Sequence, residues 1–78
     1  MKRVYKVVVE PDEYEDGTPA FHAYCPALKG ARTHGRSRDE ALENIQQVVQ
    51  MVVDEIVDDG SNLPPDIEIE SVFAEVRG

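Results

Sequence analysis

The sequence predicts an α+β domain with the order β-β-β-α-β, one long helix packed on one face of a small, mostly antiparallel sheet. Three observations carry this. Residues 35–60, "GRSRDEALENIQQVVQMVVDEIVDDG", read as a single helix with its own start and stop signals. Three short stretches rich in Val, Tyr and Thr precede it, and an alternating "IEIE" follows it. One helix cannot make a core alone, so its apolar stripe must lie on the sheet.

The first strand is expected over residues 3–10, "RVYKVVVE", a run of β-favouring side chains that Pro11 should end. Residues 12–19, "DEYEDGTP", form an acidic turn around Asp16-Gly17. In "AFHAYCP", Phe21, Ala23 and Cys25 alternate with His22 and Tyr24, the pattern of a half-buried strand that closes a hairpin with the first. "PALKG", residues 26–30, is a turn, and "ARTHG", residues 31–35, a short third strand. Ser37 and Glu40 stand at capping-box spacing, and Asp39 and Glu40 suit the positive end of the helix dipole. Leu42, Ile45, Val49, Val52 and Ile56 belong to a wide apolar stripe. Gly60 provides a left-handed stop. The stripe is largely β-branched, so this helix of ~22 residues must lean on packing for stability. The last strand is expected over residues 67–76. Val7, Val8 and Val9 are consecutive, which predicts a first strand apolar on both sides and a second sheet face covered by another copy or a partner.

Residues 1–78 are expected to make one domain, with no C-terminal DNA-binding domain. Folding at this size buries roughly 60% of the chain's surface, so stability is marginal. Cys25 is the only cysteine, which excludes an internal disulfide and fits a reducing cytoplasm. No apolar run is long enough to span a membrane. The net charge of −8 opposes direct nucleic-acid binding and favours basic protein partners. Half of the bases, Lys29, Arg32, Arg36 and Arg38, are concentrated in the middle of the chain.

The residues predict no enzyme. His22 and His34 could meet across a strand pair, but two nitrogens are too few for a metal centre and Cys25 points to the opposite face. Cys25 reads as a small core residue rather than a nucleophile. Asp12, Glu13, Glu15 and Asp16 do not follow the Ca²⁺-loop spacing. Glu10 is one carboxylate of the kind a two-metal nuclease needs, but Glu43, Asp54 and Asp58 fall on the solvent side of the helix. No catalytic, metal or cofactor residue is therefore assigned. The residues expected to bind a partner are Asp12, Glu13, Glu15 and Asp16 in the loop, with Gln47, Met51 and Asp54 on the exposed helix face.

Residues 21–49 resemble the HicB-like antitoxin signature. The pieces are Pro26-Ala27-Leu28-Lys29-Gly30, then Gly35, Ser37 and Glu40-Ala41-Leu42-Glu43-Asn44, with "DDGSNLPP" after the helix. The resemblance implies a partial RNase H-like fold without nuclease activity. It also implies a cytoplasmic protein, dimeric or tetrameric, that neutralises a small basic HicA-like RNA-cleaving toxin. Many such antitoxins carry an added DNA-binding domain, so operator binding is not expected of this chain. The alternative is a stand-alone oligomeric binding module with no toxin.

Overall fold

The computed structural model describes residues 3–67 and 71–76. It has three antiparallel strands followed by one long helix, an α+β arrangement: β1 (Val8–Glu13), β2 (Pro19–Tyr24), β3 (Arg32–Gly35) and α1 (Arg38–Asp58). The strand order is β1-β2-β3, with β2 in the centre. Tyr24 pairs with Val8 on one side and Arg32 on the other, and His22 pairs with Glu10 and His34.

β1 runs later than its composition suggests. Pro11 lies inside the strand, opposite Phe21, rather than ending it. An edge strand tolerates proline because one side of its ladder has no partner to satisfy. Residues 3–6 are not in the sheet and are tied instead to residues 63–67. The Arg3 guanidinium donates to the carbonyls of Leu63 and Pro64, at 3.4 and 3.3 Å. The Tyr5 hydroxyl donates to the Pro64 carbonyl at 2.6 Å, and Lys6 Nζ meets Asp66 Oδ2 at 2.7 Å.

The fourth strand is the main departure from expectation. Ile67 and residues 71–76 carry no strand; residues 68–70 of the expected span lie outside the described residues. Val72, Phe73 and Val76 are 88%, 108% and 93% exposed, so no part of the described chain covers them.

The caps hold α1 as the sequence requires. Ser37 Oγ accepts from the Glu40 N–H at 3.1 Å, while Glu40 Oε1 accepts from the N–H of Arg36, one residue before the cap. At the other end the Gly60 N–H donates to Val57 and the Ser61 N–H to Ile56, both closing the helix around Gly60 at φ +73°. These two bonds form a Schellman motif.

The helix covers one sheet face through two linked clusters. In the first, Ala23, Ala41 and Ile45 are each fully buried against Val9 and Phe21. Gly35 belongs here by necessity: a Cβ would collide with the Ala41 backbone, so only glycine lets β3 approach α1. In the second, Cys25, Leu28 and Ala31 pack under the C-terminal half of α1, against Val52, Val53 and Ile56. The 26–30 turn is thus part of the core, since it folds back and inserts Leu28, 2% exposed, beneath the helix.

Candidate functional site

The expected contact residues divide between two sides of the molecule. Gln47, Met51 and Asp54 are exposed on one helix face, with Met51 63% exposed. Asp54 accepts from Gln50 Nε2 at 2.9 Å. Asp12 lies on the sheet face that α1 does not cover, because it contacts His34, the cross-strand partner of His22. Glu13, Glu15 and Asp16 are exposed at and beyond the end of β1. The sheet stands between the helix group and Asp12.

Two of the loop acids are engaged locally. Asp16 Oδ1 accepts from the Thr18 N–H at 3.0 Å and from its hydroxyl at 2.7 Å, closing the turn. These two bonds hold the Asp16 carboxyl below its ordinary pKa. Asp12 Oδ1 accepts from the Glu13 N–H at 2.8 Å. That bond is the main cause that lowers the Asp12 pKa, with His34 and His22 adding to it.

The open sheet face holds a polar cluster that the consecutive valines did not suggest. Val8 is the one valine of the run on this side, whereas Val7 and Val9 pack toward the helix. Glu10, His22 and His34 form one row across three strands. His22 Nδ1 lies 3.3 Å from Glu10 Oε1, and His34 Nε2 lies 3.4 Å from Asp12 Oδ2. The second contact spans from β3 to β1. It crosses β2 at Ala20, the direct partner of Asp12, which is small and 1% exposed. The rings of His22 and His34 stack with centroids 4.9 Å apart and planes at 29°, and Tyr24 also stacks on His22, at 5.3 Å. The two imidazoles therefore lie nearly parallel, each beside its own carboxylate.

The sequence had put His22 and His34 within reach of each other. It missed Glu10 and Asp12 as their partners, although alternation along residues 8–13 places both acids on that face. Asn44 also gains a role. Its Nδ2 donates to the His34 carbonyl at 3.0 Å and ties α1 to the strand that carries the imidazole.

The chain is similar to the UPF0150 protein ssr1765 of Synechocystis sp. (strain ATCC 27184 / PCC 6803 / Kazusa). The two are 29% identical over 63 residues, covering 81% of this chain and 77% of that protein. No family model and no solved structure matches the chain.

Proposed function

We propose that this chain is a HicB-like antitoxin that binds and neutralises a small basic HicA-type RNA-cleaving toxin through protein contact. The observation that carries this reading is the likeness to a UPF0150 protein, a HicB-like family, over most of both chains. The charge agrees with it: a chain of net charge −8 attracts a basic ribonuclease and repels the RNA that the ribonuclease cuts. The motif residues of the resemblance also have physical work in this fold. Leu28 plugs the core, Gly35 admits the helix, Ser37 caps it and Asn44 anchors it. The antitoxin acts in the cytoplasm in this reading. Among the described residues no helix is long and apolar enough to cross a membrane.

A second reading, a stand-alone oligomeric binding module, is favoured by one observation. Val72, Phe73 and Val76 form an exposed apolar segment of the kind a second copy covers. One experiment separates the two. A tagged chain is recovered from its native cells and the bound proteins are identified by mass. A small basic protein in near-equal amount, whose RNA cleavage the chain then inhibits, supports the antitoxin. Recovery of the chain alone, as a dimer or tetramer, rejects it in favour of the module.

A further inference from the structure

We propose that the open sheet face is a docking surface for the Lys or Arg side chains of a basic protein, and that protonated His22 and His34 close it by competing for the Glu10 and Asp12 carboxylates. The inference rests on the protein-binding reading above for its natural partner, but its geometry stands apart from any toxin.

The occupant follows from charge complementarity. Glu10 and Asp12 are 50% and 47% exposed at the side chain, fixed on a strand two residues apart, and open to solvent. Asp12 is further oriented by the Glu13 N–H. Carboxylates fixed in this way lose little freedom when they accept a cation. On the same face Tyr24, stacked on His22, offers an aromatic ring of the kind that attracts a guanidinium. A phosphate-bearing ligand would meet two like charges instead.

The gate follows from the cross-strand row. A histidine is the side chain whose charge ordinarily changes between about pH 5 and 8. With both rings neutral, Glu10, Asp12, His22 and His34 carry −1 −1 + 0 + 0, or −2, and the carboxylates are free to accept an incoming cation. With both rings protonated the same four sum to zero, and each carboxylate already has an imidazolium at 3.3 or 3.4 Å. The charged and titratable groups on this face are Glu10 and Asp12 from β1, His22 and Tyr24 from β2, and Arg32 and His34 from β3. α1 packs on the other face. Two imidazolium rings 4.9 Å apart repel, and Arg32 on the same face adds to that repulsion. The surface therefore closes once the rings are protonated.

The test uses the full chain and an octa-arginine peptide at low salt, with amide shifts followed at pH 7.5 and 5.5. At pH 7.5 the peptide should shift β1, β2 and β3 amides around Glu10, His22 and His34. Its affinity should fall by about tenfold at pH 5.5, the equivalent of two exposed charge pairs. The His22→Gln/His34→Gln chain should bind with nearly the same affinity at both values. The Glu10→Gln/Asp12→Asn chain should lose the sheet-face shifts at pH 7.5. Shifts confined to α1 or the 58–59 acids overturn the proposal, as does a pH dependence that survives loss of both histidines. Circular dichroism of each variant checks that the fold is kept. Failure to recover a toxin would reject the antitoxin reading and leave these outcomes unchanged.

Discussion

On the face that α1 covers, the strands present Val9, Phe21 and Ala23, and the side chains meet without a buried polar group. On the other face the same strands, one residue out of phase, present Glu10, His22, Tyr24, Arg32 and His34. The covered face holds the fold by close packing, in which a single methylene matters. The open face is held by exposed hydrogen bonds and stacked rings, which contribute little to stability and leave its chemistry free for recognition. Substitutions on the two faces should therefore separate stability from binding.

The largest effect belongs to Ile45, fully buried at the centre of the first cluster. Ile45→Ala should cost about 2–5 kcal/mol, read by urea unfolding, and in a domain this small that threatens the folded state itself. Gly35→Ala should follow at about 1–3 kcal/mol, because the added Cβ meets Ala41 backbone rather than a side chain that can swing away. Asn44→Ala leaves the His34 carbonyl without its helix donor and should cost about 1 kcal/mol. It should also broaden the His34 ring signals, which would link the two faces. His22→Gln or Glu10→Gln should change stability by less than about 0.5 kcal/mol while altering cation binding. A large loss of stability there would break the comparison.

The smallest effect is in acid. Asp66 is held below its ordinary pKa chiefly by Lys6, Asp12 chiefly by the Glu13 N–H, and Asp16 by Thr18. A carboxyl with a lowered folded-state pKa contributes stability that is fully present above the unfolded value, about 3.9, and is lost as pH falls through the folded value. Thermal melts should thus be flat in these contributions at pH 6 and decline below about pH 4. Asp66→Asn should make that decline shallower.

Much of the covered face was legible in the sequence, because packing against a helix imposes a period and caps leave signatures. Ser37, Glu40 and Gly60 marked the helix, and Phe21, Ala23 and Cys25 marked the inward side of β2. The open face was harder to read. Val7-Val8-Val9 looked apolar on both sides, but only Val8 faces outward in the sheet, and polar residues dominate beyond it. Pro11 read as a stop because composition does not reveal which strand is an edge. The His34–Asp12 contact skips a strand, so no local pattern encodes it. Asn44 was opaque because its partner is a backbone carbonyl, which carries no residue identity.

The clasp between residues 3–6 and 63–67 bears on how the chain folds. It joins groups 59 to 61 positions apart, whereas the hairpins and helix caps close over short distances. Closing so long a loop has an entropic cost that rises with separation and is offset only once the intervening sheet and helix are in place. The clasp should form last and open first. Amides of residues 3–6 should exchange with solvent through local opening while those around Ile45 wait for global unfolding. An early, protected terminus in pulse-labelling would reverse that order.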